Sequence, residues 1–251
     1  SNYHEGNIAM MGKVGEISPF SRIGPGIWDS IKPDVVEYGG TYAINTTDNS
    51  LTTPEEVCTD LVRCSPQGPA HAKDIVGTSF SAPKVAHIAS AIQQVLPNAP
   101  ALLYRALVVQ SARLPKDTSR LSTSEKQMLL RQMGYGVPDV KKATVNNDYR
   151  VTLVTPEINY LSAGEAHIYQ VFLPDSIRDI GIDYNILVEI TLSYSAKPKR
   201  TRRYVKGYMS TWVDWVCSRV GETEEIFRQR VFATDSSIQD DGSFKWAIRE
   251  Q

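Results

Sequence analysis

The stretch Gly77-Thr78-Ser79-Phe80-Ser81-Ala82-Pro83-Lys84-Val85-Ala86 is where residue type and spacing in this 251-residue chain could do chemistry. It sets a serine at the mouth of a strongly apolar run. If that run is a helix, its first turn offers free backbone N–H groups and the positive end of the helix dipole. Acyl transfer develops negative charge on a carbonyl oxygen, and such a turn stabilises it. Gly77, Ser81 and Ala82 are small enough for a substrate backbone to approach. Pro83 fits, because a first helical turn has no N–H partner to lose. Chemistry alone leaves a plainer alternative open: Thr78 or Ser79 simply caps the helix.

The elements that must hold this serine can be read from periodicity. Between 81 and 96 the apolar positions Ala82, Val85, Ala86, Ile88, Ala89, Ile92, Val95 and Leu96 recur every three or four residues, which predicts a helix ending near Pro97-Asn98. A second helix is expected from about Pro100, capped by Asn98 and burying Leu102, Leu103, Ala106, Leu107 and Val108. A third starts at Ser122, three residues before Glu125 in capping-box spacing, and runs to Gly134. Before residue 40 the Gly and Pro punctuation leaves room only for short strands and turns, with Val35 and Val36 as a short buried strand. Residues 41–73 read as a polar, irregular surface loop.

Beyond Thr144 the period changes to alternation. Segments 149–155, 166–173, 187–194, 204–212, 226–233 and 244–248 read as strands, most strictly in Val188-Glu189-Ile190-Thr191-Leu192-Ser193-Tyr194. Six such segments predict a small antiparallel β-sandwich over 146–251, following a first domain over 1–145.

Composition bounds the rest. Hydrophobic residues are 41% and charged residues 22%, an ordinary globular balance. A net charge of −1 gives the molecule as a whole no electrostatic reason to bind nucleic acid or an anionic membrane. No apolar run has the length of a membrane span, and Ser1 to Gly12 carry no signal-peptide pattern. Cys58, Cys64 and Cys217 cannot all pair within one chain; Cys58 and Cys64 could close a small loop in an oxidising compartment, but the absence of a disulfide framework favours free thiols in a reducing, cytoplasmic interior.

The Gly77–Ala86 string resembles the nucleophile motif of the subtilisin-like (S8) serine proteases, Gly-Thr-Ser-x-Ala/Ser-Ser/Ala-Pro-x-Val-Ala. His87 stands where that family usually has Gly. Four further stretches resemble the family in the same order. They are Ser18-Pro19-Phe20-Ser21-Arg22-Ile23-Gly24-Pro25, Lys32-Pro33-Asp34-Val35-Val36, Pro97-Asn98 with Leu102, Tyr104, Ala106 and Leu107, and Gly134-Tyr135-Gly136-Val137-Pro138-Asp139 with Ala143. After Val36 the family's Ala-Pro-Gly is replaced by Glu37-Tyr38-Gly39. The resemblance ends near residue 143.

The resemblance implies an α/β domain built on a parallel sheet, incomplete on its N-terminal side, and hydrolysis of a polypeptide substrate. It makes Ser79 the nucleophile, with the Ser79 N–H and the Thr78 hydroxyl supporting the oxyanion. In this family the triad runs Asp, His, Ser along the chain. No upstream residue here has the Asp-Thr/Ser-Gly or His-Gly-Thr context. His4 and His71 lack it, His87 is two helical turns past the serine, and Gly6-Asn7 lies too near Phe20 to be the oxyanion asparagine. The expectation is that Asp, His and oxyanion Asn lie in an N-terminal part of the peptidase domain outside this chain. Alone, the fragment would then be inactive. No cofactor is identifiable; calcium is frequent in the family. The alternative from another class is a non-catalytic or split relative that acts as a protein-binding module.

Three secondary expectations follow. Lys197, Lys199, Arg200, Arg202, Arg203 and Lys206 form a basic run with no interleaved aromatic platform, so a solvated hairpin loop is preferred to a nucleic-acid site. Trp212, Trp215 and Cys217 form the core of the β half. With part of the first domain missing, Val85, Ile88, Ala89, Ile92 and Val95 face too little protein and leave an apolar patch.

Overall fold

The computed structural model describes residues 4–5, 7–26, 30–52, 76–115, 117–155, 157–162, 165–171, 186–196, 213, 215–219 and 221–233. The chain divides into two compact units. One is Ser1–Ile158 with Asp183–Ser195, and the other is Asn159–Ile182 with Ala196–Gln251.

In the first unit a four-stranded sheet runs in the order β1 (His4–Glu5), β2 (Ile8–Met10), β3 (Ala43–Asn45), β4 (Leu51–Thr52). Every pairing is antiparallel, with Ala9 opposite Ile44 and Ile44 opposite Leu51. The short β1–β2 and β3–β4 links permit only antiparallel pairing, since parallel neighbours need a crossover of a dozen residues or more. The expected parallel sheet is not seen among the described residues. The strands β3 and β4 correct the reading of 41–73 as loop throughout. Residues 43–52 are a hairpin, closed by Asn45 Oδ1 accepting from Thr47 N–H and Asp48 Oδ1 accepting from Ser50 N–H. The turn residues Asn45-Thr46-Thr47-Asp48-Asn49-Ser50 between two short apolar pairs were the signal for it. Residues 53–73 lie outside the described part.

Among the described residues four helices follow: α1 (Thr78–Val95), α2 (Ala101–Ser111), α3 (Thr123–Met133) and α4 (Val140–Thr144). Helix α1 begins three residues earlier than its apolar stripe, so Ser79 lies within it. Helix α2 is capped by Pro100 rather than Asn98. Helix α3 has the capping box read from the sequence. Glu125 N–H donates to Ser122 Oγ, and Ser122 N–H donates to the Glu125 carboxylate at 2.8 Å. It stops at Gly134, whose φ of 55° with ψ of −134° suits glycine alone, and where a Cβ would lie 2.1 Å from Pro33 O.

The core joins α1, α2 and α4 through Ile88, Ile92, Leu107, Val108 and Ala143, with Val35, Val85, Ala89 and Tyr104 packed around them. Ile88 and Ile92 are 6% and 1% exposed. The apolar face of α1 is therefore covered, which corrects the expected patch: of its five residues only Val95 is exposed. Val35 belongs to this packing without being in a strand. Its neighbours are tied irregularly, by Tyr135 N–H to Asp34 O at 2.9 Å and Val36 N–H to Gly136 O at 3.0 Å.

The expected sandwich meets several corrections. Residues 149–155, 166–171 and 187–194 contain no strand where described, and 226–233 lies in a helix, α5 (Glu224–Ala233). In that segment Glu224-Glu225 at the start and Arg228 paired back to Glu224 favour a helix over alternation. Segment 204–212 and segment 244–248 lie outside the described residues. Trp215 is 37% exposed and Cys217 is a free, exposed thiol, so neither is core. Trp212, Cys58, Cys64 and the basic run at 197–206 lie outside the described residues.

Candidate active site

Ser79 is the second residue of α1, and its side chain is exposed. Gly77 precedes the helix in a fully extended conformation and presents no side-chain cap. The capping alternative therefore fails for Thr78 and Ser79, which both stand inside the helix rather than at its cap position. Among the described residues no acceptor takes the Thr78 or Ser79 N–H, as expected for the first turn of a helix. A developing oxyanion near Ser79 would meet these donors and the helix dipole together.

The sequence on either side explains how this turn is fixed. At 100° per residue, Ser79, Ala82, Pro83, Ala86 and Ser90 lie on one side of α1, and all five are exposed. Ser81, Val85, Ile88 and Ile92 lie on the other, which is the packed side. Against that side runs the segment Glu37-Tyr38-Gly39. Ser81 Oγ donates to Glu37 O at 2.8 Å, Gly77 N–H to Gly39 O at 2.8 Å, and Lys84 Nζ to Tyr38 O at 2.7 Å. A Cβ on Gly39 would lie 2.5 Å from Gly77 O and 2.7 Å from Ser81 Oγ, so only glycine permits this approach.

The segment is anchored at its other end by charge. Asp34 accepts from Lys32 and from Arg105 of α2, the latter at 2.9 Å. Partial burial pushes the Asp34 carboxyl up, but the bonds to Lys32 and Arg105 outweigh it and hold it below the usual carboxylate range. Burial and the neighbouring Asp34 charge raise the Tyr135 hydroxyl. The stretch starting at Ser18 joins the same frame: Ser18 Oγ donates to Gly40 O at 2.6 Å, and Phe20 stacks edge-on against Tyr42 at 5.1 Å. Segments scattered over residues 18–139 thus converge behind the serine.

Among the described residues no acid–base partner is brought together with Ser79. His87 lies eight residues along the same helix, about 12 Å up its axis, beyond reach of the hydroxyl. His71 is outside the described residues, His4 is in β1, and His167 belongs to the second unit. Asn7 sits in the β1–β2 turn, where its carbonyl accepts from Thr46 N–H and Oγ1, a structural role. Among the described residues no hydrogen bond reaches the Ser79 hydroxyl. Among them no group of three or more His, Cys, Asp or Glu gathers around a common point. No helix among them is long and apolar enough to cross a membrane.

Sequence reasoning missed Glu37, Tyr38, Gly39 and Lys84 as neighbours of the turn that bears Ser79. Gly39 had a local signal in the Gly39-Gly40 pair. The Lys84 contact joins residues 46 positions apart and had none.

The chain is 31% identical over 198 residues to the uncharacterized protein y4bN of Sinorhizobium fredii, an alignment covering 78% of this chain and 45% of that protein. The chain thus spans less than half the length of the relative it matches. No solved structure matches it. The model of the Subtilase family (peptidase S8) matches residues 8–136, more than half of the chain and the segment that holds Ser79 and its supporting frame, and the chain belongs to that family.

Proposed function

We propose that this chain carries the nucleophile half of a subtilisin-like serine endopeptidase, with Ser79 as the nucleophile. The observation that carries the reading is an exposed serine in the first turn of a helix with a buried face, beside N–H groups that no acceptor among the described residues takes. Ser79 Oγ attacks the carbonyl carbon of the scissile peptide while its proton passes to a general base. The resulting oxyanion is held by the Ser79 N–H with support from Thr78. Collapse expels the amine, which takes the proton, and water then hydrolyses the Ser79 ester by the same route in reverse.

The base is a histidine, oriented by an aspartate, and both come from polypeptide outside residues 1–251. Two observations support this. His87 is too far along α1, and the whole Ser79 side of that helix is lined by small exposed residues that a further polypeptide segment can approach closely. The same exposed side of small residues also suits the second reading, a relative that binds polypeptide without cleaving it.

The test is labelling of Ser79 by a fluorophosphonate probe, with peptide hydrolysis measured in parallel. The 251-residue chain alone is expected to react no faster than its Ser79→Ala variant, since an unactivated serine is a weak nucleophile. The protein in its natural length is expected to label and cleave in a Ser79-dependent way. Ser79-dependent turnover by the isolated chain overturns the external base. Absence of labelling in the natural-length protein favours the binding module.

A further inference from the structure

The Glu37-Tyr38-Gly39 segment replaces the Ala-Pro-Gly that the family usually has after its Lys-Pro-Asp-Val stretch. The first of these replacements is accompanied by a hydroxyl at Ser81, a position where the family motif admits Ala or Ser. That hydroxyl is spent on the Glu37 carbonyl. One turn further on, Lys84 reaches the Tyr38 carbonyl. Glu37 Oε1 accepts from Tyr38 N–H, which fixes the peptide between the two anchored carbonyls. The bonds between this segment and α1 are made by Ser81 and Lys84, on the side of the helix away from Ser79. The segment therefore acts as a backstop: it leaves the nucleophile's face free and fixes the rotation and axial position of the turn that bears it.

We infer that Ser81 and Lys84 are positioning residues for the Ser79 nucleophile, acting through the carbonyls of Glu37 and Tyr38. The inference rests on the reading of Ser79 as nucleophile. Its physical basis is the steep dependence of acyl transfer on alignment. A nucleophile must approach the carbonyl within a narrow range of distance and angle, and displacement on the order of 1 Å costs about a hundredfold in rate. Removing one of two side-chain bonds to the backstop lets the first turn shift or rotate without unfolding α1, because the Ile88 and Ile92 packing further along remains.

The experiment uses the protein in its natural length and compares Ser81→Ala, Ser81→Thr, Lys84→Met and Ser79→Ala. The expected result is a loss of about tenfold to a hundredfold in kcat and in the rate of fluorophosphonate labelling for Ser81→Ala and Lys84→Met, with KM changed by less than about twofold. Ser81→Thr, which keeps the hydroxyl, should recover most of the loss. A residue that only supported folding would lower the amount of active protein without slowing the labelling of each active molecule. If Ser81→Ala does not fold, Lys84→Met carries the comparison, because its side chain is exposed and its loss leaves the core intact. Unchanged kcat and labelling in the variants, with Ser79→Ala inactive, overturns the positioning role while leaving Ser79 as nucleophile. Undiminished activity in Ser79→Ala overturns both.

Discussion

Helix α1 and the extended stretch 186–196 both carry clear apolar periodicity, and the structure treats them in opposite ways. In α1 the apolar side is buried, with Ile92 at 1% exposure, and the polar and small side faces out. In 186–196 the apolar side chains face out, with Val188, Ile190 and Leu192 each at least half exposed. Its polar residues make the contacts instead: Glu189 pairs with Arg113, and Thr191 bonds Gln110, both partners close to the end of α2. The difference lies in the backbone. A helix satisfies its own N–H and C=O groups and needs only a surface for one face, whereas a strand needs a neighbouring strand before its alternation can bury anything. Periodicity therefore decides the fate of α1 but not of 186–196.

This contrast can be broken first at its strongest point. Ile92→Ala should destabilise the first unit by about 2–5 kcal/mol, through lost burial and the cavity left at the α1–α2–α4 junction. Leu192→Ala should change stability by less than about 0.5 kcal/mol, as for a surface site. Equilibrium denaturation of both variants measures the pair. Equal effects would mean that the extended stretch is packed as firmly as the helix.

A smaller effect is expected at Gly134, where α3 ends against the Lys32–Gly39 segment. Alanine there meets both a strained φ and the Pro33 carbonyl, so Gly134→Ala should cost about 1–3 kcal/mol. The loss should appear as faster amide hydrogen exchange at Tyr135, whose N–H donates to Asp34 O. The corresponding measurement in 186–196 should show little protection before or after the change, since its described backbone has no ladder.

The smallest effect belongs to the second unit, where an ion pair ties helix α5 to the residue Glu222 that precedes it. Arg230 donates to both oxygens of Glu222, and Arg219 N–H adds a third bond. These bonds lower the Glu222 carboxyl from 4.5 to about 2. A carboxyl depressed on folding stabilises fully above its unfolded value and loses that contribution as pH falls through its folded value. Exchange protection at Arg219 and along α5, corrected for intrinsic rates, should therefore fall between pH 4.5 and about 2. In Glu222→Gln that decline should be absent, and the α1 core should show none assigned to this pair in either protein.

The sequence alone determined the local features whose causes are local. The stripe Val85, Ile88, Ala89, Ile92 announced α1, the Ser122–Glu125 spacing announced the capped start of α3, and Gly134 its end. Each rests on contacts between residues within about four positions, where helical geometry follows directly from order in the chain. The motif around Ser79, with its four companion stretches, was legible in the same way and carried the family. Tertiary structure alone decided how those stretches meet. It brought Glu37-Tyr38-Gly39 against the back of α1 through bonds spanning some forty residues, and turned Asp34 toward Arg105 across 71. It paired β2 with β3 across an intervening stretch in which no periodicity marks the partner. It also left 186–196 with its apolar face outward and made 226–233 a helix. Alternation and helical spacing say which side of an element seeks burial, but the surface that receives it comes from residues far away in the chain, and only the folded arrangement supplies them.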